Sequence, residues 1–291
     1  MKSHNQKVRN IKVATFLNIS FTIIEIIGGL WTNSLAILSD ALHDFGDSIA
    51  LLTSWLAERM AQKPPDTKRT FGYKRLSLFS ALFAALVLVA GSLFILSETI
   101  PRLLNPEHVN SRGMAGLAIV GIFFNSIGFL RLTKGASLNE RVLSLHLLED
   151  VLGWVVILIG SIIIEFWDNH LIDPIMTIGF TVFILWGVIK KLKETFNVLL
   201  QGVPSYINIS EIKNALISLT GVSAVHDVHI WSLDGETNIF TAHIVLEKTI
   251  MGEAFELREK IKKILENFQI KHSTIEIETE ASCLSSPCDT G

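Results

Sequence analysis

The sequence predicts an α-helical membrane protein of six spans followed by a small α+β domain, and three observations carry that prediction. Of the 291 residues, 49% are hydrophobic and only 18% are charged, against about 25% charged in an average soluble domain. The mean hydropathy is +0.44, too apolar for one water-soluble domain of this length. Six apolar stretches approach the roughly 20 helical residues needed to cross a ~30 Å hydrocarbon core. After Lys193 the character changes: charged residues rise, and helix-like and strand-like patterns alternate as far as Glu280.

The spans are expected at Val13–Leu30, Leu35–Ala57, Leu76–Leu96, Gly113–Leu132, Val142–Ile164 and Ile172–Val188. The polar, basic start, Met1 to Lys12, runs straight into the first stretch without a small-residue cleavage site after Gly29. It reads as an uncleaved first helix. Orientation follows from the basic residues of the short loops. Lys2, Lys7, Arg9 and Lys12, the loop with Arg59, Lys63, Lys68, Arg69, Lys74 and Arg75, then Arg131, Lys134 and Arg141, and finally Lys190, Lys191 and Lys193 all fall on one side. The opposite loops hold only Arg102 and Arg112. Both termini are therefore expected in the cytoplasm, as an even span count requires. The net charge of −3 offers nothing to nucleic acid, and none is expected as a partner.

In the tail, Ile209–Leu219 has the pattern of an amphipathic helix ended by Gly221. Val225–Trp231 and Asn238–Leu246 read as strands around the polar turn of Asp234, Gly235 and Glu236. Glu253–Phe268 reads as a second helix and Ser273–Glu278 as a short strand. The αββαβ order predicts an α+β domain. The expected organisation is a transmembrane domain over 1–200, a cytoplasmic domain over 201–280, and a terminal stretch over 281–291 that holds both cysteines, Cys283 and Cys288. Two cysteines so placed are no disulfide framework; they are either metal ligands or dispensable thiols.

Ionisable groups inside a membrane span mark function by default. Span two holds Asp40, His43, Asp44 and Asp47 in SDALHDFGDS, and span five holds His146, Glu149 and Asp150 in SLHLLEDVLG. His43 and Asp47 are four apart, as are His146 and Asp150, so each pair shares one helix face ~5–6 Å apart. Two such helices facing each other offer two nitrogens and two oxygens, a tetrahedral set suited to Zn²⁺. Left as structural polar residues, these carboxylates would need partners in a low dielectric. Asp40 and Asp44 lie about 100° round the helix from their motif neighbours and read as vestibule or accessory groups. Asp173, beside Pro174, reads as a cap rather than a ligand. Glu25 and Glu98 line a polar path or make interior hydrogen bonds. Imidazole binds a proton or a metal near its reference pKa of about 6.5, not both at one nitrogen, so proton exchange is the natural coupling and alternating access the natural cycle. Two rivals remain: a membrane-anchored metal sensor, and a membrane-embedded metallohydrolase for which Glu149 would have to serve as base.

At these residues the chain resembles the cation diffusion facilitator family, zinc-transporting type. The resemblance rests on NSLAILSDALHDFGDS, TFGYKRL, the His146–Asp150 motif, NVLLQGVP and GVSAVHDVHIWSL, which span nearly the whole chain in the family's order. It implies a homodimer of six-span protomers, a cytoplasmic ferredoxin-like domain that pairs at the twofold axis, and metal export by proton exchange. Zinc is then both cargo and ligand of the tail, with cadmium and cobalt as further cargo and protons as the counter-ion. Relatives that carry manganese usually have Asp where His43 stands; imidazole makes the site softer and disfavours Mn²⁺. In the tail the resemblance implies metal ligands at His226, His243, His272 and Glu278, while His229, alternating with Trp231, is expected to pack. Cys283 and Cys288 resemble a terminal pair of some relatives. The sequence departs from the family at Gln201, where a carboxylate commonly pairs with the Lys74/Arg75 loop, and at Ser77, where a Glu is frequent. KPPDTKRTFGYK lacks the histidines of an extra loop site, so no site is expected there. The absence of a histidine-rich run between spans four and five points to a bacterial inner membrane.

Overall fold

The computed structural model describes residues 19–133, 138–247 and 254–279. The basic N-terminal residues Lys2 to Lys12, Lys134, and Cys283 and Cys288 lie outside the described residues. Among the described residues, eight helices and three strands follow in order: α1 (Ile19–Thr32), α2 (Leu35–Ala61), α3 (Leu76–Leu104), α4 (Ser111–Leu132), α5 (Leu138–Trp167), α6 (Ile172–Leu199), α7 (Ile209–Ile217), β1 (Val222–Ser232), β2 (Asn238–Leu246), α8 (Ala254–Asn267) and β3 (Ile270–Thr279). Four of them, α3 to α6, are long and apolar enough to cross a membrane. At 1.5 Å per residue the 27 residues of α2 are also long enough, but its polar positions 40, 43, 44 and 47 dilute its hydropathy. The helices overrun the apolar stretches of the sequence at their ends: α3 and α6 each continue by two to three turns.

The chain divides into two compact units, one of residues 1–56 and 80–191 and the other of 57–79 and 192–291. In the first, outward faces are apolar: Leu86, Phe94, Phe123, Phe166 and Trp186 are all exposed, as lipid-facing side chains are, while Ile37, Met114, Trp154, Ile157 and Ile164 are buried. Lipid gives helices no hydrophobic reason to associate, so close packing at small residues does that work. Leu42 of α2 rests where a Cβ on Gly91 of α3 would stand, and Leu88 of α3 rests where one on Gly46 would stand. That reciprocal fit brings α2 and α3 together one residue away from Asp47.

In the second unit β1 pairs antiparallel with β2, which pairs parallel with β3, giving the order β1-β2-β3. β2 has the bounds the sequence predicts, β1 and β3 are longer, and α7 is shorter, ending at Ile217 with Gly221 at φ +95° in the turn beyond. Ile212 and Leu216 of α7 and Leu257, Ile261 and Leu265 of α8 bury one face of the sheet against Phe240, Ala242, Ile244 and Leu246. The connection before α3 belongs to this unit. Asp66 organises it, accepting from the amides of Lys68 and Arg69 and from the Tyr73 hydroxyl. The Tyr73 hydroxyl, then the two amides, hold the Asp66 carboxyl below its usual range. Gln201, at φ +59°, leaves Lys74 without the expected acid, and Lys74 instead donates to the Thr237 hydroxyl at 3.2 Å. Ser77 donates to the Lys74 carbonyl at the start of α3.

Candidate metal centres

The i, i+4 spacing on α2 and α5 does what helical periodicity requires. His43 and Asp47 share one face of α2, with Nε2 and Oδ2 3.8 Å apart. The same Asp47 oxygen reaches His146 Nε2 of α5 at 3.1 Å. The two imidazoles meet edge to face, ring centroids 5.8 Å apart. His43, His146 and Asp150 each offer a ligand atom, all within 4.8 Å of one another. A tetrahedral ion with ~2.0–2.1 Å bonds holds its ligand atoms roughly 3.4 Å apart, and the His–Asp separations bracket that edge.

The environment is one of unmet demand. Asp150 is 6% exposed, and its Oδ2, like Nδ1 of His43, has no hydrogen-bond partner among the described residues. Buried polar atoms are normally satisfied, and a cation is the partner that a carboxylate and an imidazole lone pair share. Asp44 is buried at 4% rather than standing in an open vestibule. Asp40 lies against Gly153 of α5, its Oδ1 3.6 Å from where a Cβ would be. Glu25 of α1 is buried, both oxygens unpartnered among the described residues. Asp173 is a cap, as its position beside Pro174 implies: it accepts from Ser34 and from the amides of Leu35 and Ala36.

A second cluster sits on the sheet. His226 of β1 stands opposite His243 of β2 in the ladder, their ring centroids 5.2 Å apart. Glu278 of β3 joins both, through Oε2 to His226 Nε2 at 3.2 Å and Oε1 to His243 Nδ1 at 2.8 Å. These three form a group with ligand atoms within 4.8 Å of one another. Two carboxylates that sequence reasoning missed lie beside them. Glu276, opposite His243 in the parallel register, and Asp227 each approach His243 Nε2 to 3.4 Å.

Neither His272 nor His229 belongs to that group of three. His272 stands apart: it pairs with Ile239, four residues from the Glu276–His243 pair, or about 13 Å along a strand, and its ring meets Phe71 edge-on. His229 does not pack. Its side chain is 63% exposed and its Nε2 bonds Asp227 Oδ1 at 2.9 Å. The cause is a bulge between His226 and His229, with Asp227 at φ +50°, which breaks the alternation and re-aims its residues.

Residues 11–200 match the family described as cation efflux transmembrane domain, and residues 204–280 match that described as cation efflux protein, cytoplasmic domain. The metal cation efflux system protein CzcD of Cupriavidus metallidurans is 35% identical over 93% of this chain and 86% of its own length. The cadmium, cobalt and zinc/H(+)-K(+) antiporter of Bacillus subtilis is 34% identical over 96% of this chain and 92% of its own. Zinc transporter ZitB of Escherichia coli is 32% identical over 94% and 88% respectively. The solved metal-bound C-terminal domain of CzcD is 30% identical, covering 25% of this chain and 99% of that one, at a TM-score of 0.23. With four apolar helices long enough to cross a membrane, the chain is a multi-pass integral membrane protein and a transporter rather than an enzyme. It belongs to the cation efflux family, the cation diffusion facilitators of the zinc-transporting type.

Proposed function

We propose that this protein exports zinc, and with it cadmium and cobalt, from the cytoplasm in exchange for protons, through a His43, Asp47, His146 and Asp150 site. The observation that carries the reading is the meeting of two His-x-x-x-Asp pairs from separate helices, with Asp47 of α2 bonded to His146 of α5 and Asp150 buried beside them. Two nitrogens and two oxygens suit Zn²⁺ and related borderline ions better than hard Mn²⁺. The relatives named for zinc, and for cadmium, cobalt and zinc, support the same range of cargo.

Protons compete with metal for the same imidazole nitrogens, so a site that releases metal on the outer side takes up protons there and returns them. The working unit is a homodimer of six-span protomers with both termini cytoplasmic, in a bacterial inner membrane. Its αββαβ domain is of the ferredoxin-like type. There His226, His243 and Glu278 hold a second zinc that responds to the cytoplasmic metal level, with Asp227 and Glu276 within reach of the same imidazole. Zinc flux into proteoliposomes under an imposed pH gradient tests the coupling. Flux that rises with the gradient supports exchange, and flux indifferent to it removes protons as the counter-ion.

A further inference from the structure

Asp173 has no part in the metal chemistry, yet it is fully buried and its partners belong to the helix that carries His43 and Asp47. A helix start leaves its first amides without intrahelical partners, and inside a membrane no water replaces them. For α2 the partner comes from another helix. Asp173, in the first turn of α6, accepts the Ser34 hydroxyl on Oδ1 at 2.5 Å, the Leu35 amide on Oδ2 at 2.9 Å and the Ala36 amide on Oδ1 at 3.3 Å. Ser34 Oγ in turn accepts from the Ile37 amide at 3.2 Å, as an N-cap hydroxyl does. Negative charge at a helix start is favourable in itself.

The contact continues toward His43. Thr177 donates to the Asp173 carbonyl and Thr181 to the Thr177 carbonyl, and the Thr181 and Ser39 hydroxyls are 3.2 Å apart. Ser39 lies one turn before His43, on the same helix face. A second tie, from Arg102 to the carbonyl and side chain of Asn33, holds the turn before α2 and so sets where the helix begins. Asp173 holds its first amides and so sets the direction and rotation with which it leaves.

We infer that Asp173 is a positioning residue for transport: by capping α2 from α6 it sets the height and rotation at which His43 and Asp47 meet His146 and Asp150. This rests on the site reading above. A loosened α2 spreads the ligand set, which weakens binding of a small tetrahedral ion more than that of a larger one.

The test is zinc and cadmium uptake by the full-length protein in proteoliposomes, for Asp173→Asn, Ser34→Ala and both together, with Asp150→Ala alongside. Asp173→Asn is expected to raise the zinc KM about tenfold per folded transporter and to shift preference toward cadmium. Ser34→Ala should raise it about threefold, and the double variant should match Asp173→Asn, because both changes break one contact. A purely structural role predicts fewer folded molecules with unchanged KM and unchanged metal preference, and that result overturns the inference. Should Asp173→Asn fail to fold, Ser34→Ala decides: an unchanged KM there overturns it equally. Unimpaired transport in Asp150→Ala would instead bring down the site reading and this inference with it, an outcome distinct from a dead Asp150→Ala beside a normal Asp173→Asn.

Discussion

Asp47 of α2 and His146 of α5 are joined at 3.1 Å, Oδ2 to Nε2, although 99 residues separate them in the sequence. The bond ties the two helices that carry the candidate ligands. His43 and Asp150 offer ligand atoms within 4.8 Å of one on that same His146.

His146→Ala should therefore lose more than a histidine, since Asp47 loses its partner across the interface as well. Even outer-shell changes at metal sites cost about 10–100-fold in affinity, so removing this candidate ligand should reduce zinc transport at least that far. Uptake by purified protein, normalised to folded transporter, measures it.

His43→Asp should alter selectivity more than activity. A third carboxylate hardens the donor set, so the ratio of manganese to zinc uptake should rise by on the order of tenfold, read from paired isotope fluxes. An unchanged ratio would mean that His43 does not touch the cargo.

For the sheet cluster, metal stoichiometry is the readout. In an Asp150→Ala background, expected to silence the membrane site, His243→Ala should lower bound zinc by one ion per protomer. Glu278→Gln should do the same, because that carboxylate contacts both imidazoles. Asp227→Asn should weaken binding only about tenfold, since it reaches His243 at 3.4 Å from a bulge.

The Asp234 turn gives a pH dependence. Burial raises the Asp234 carboxyl, but the amides of Thr237 and Glu236, the Thr237 hydroxyl and Lys74 outweigh it and hold it below its usual range. A depressed folded-state value means stability that is present above the unfolded value of about 3.9 and lost as pH falls through the folded one. Asp234→Asn should cost up to about 1 kcal/mol at neutral pH, given its partial exposure. The gap to wild type should close on acidification below about pH 4, as read by denaturant unfolding of the C-terminal domain within the full chain.

The meeting of the two His-x-x-x-Asp pairs was legible because helical periodicity is rigid: four residues apart means one face, and two spans repeat the same pair. The strands β1 and β2 were legible for a similar reason. The sheet cluster was only half legible. His226 and His243 fell on adjacent strands in the sequence, but which residues of β3 face them depends on the parallel register. That register places Glu276 opposite His243 and leaves His272 opposite Ile239. Asp227 and His229 were hidden by a bulge whose positive φ at a non-glycine residue no alternation rule anticipates. Asp44 was expected near water from its helical phase, but it is buried at 4%.

The central claim is tested most directly by loading proteoliposomes with a proton gradient and following zinc uptake by wild type beside Asp150→Ala, both checked for folding. The account predicts gradient-driven uptake in the wild type and none above background in the variant. Equal uptake by the two would contradict the four-residue site.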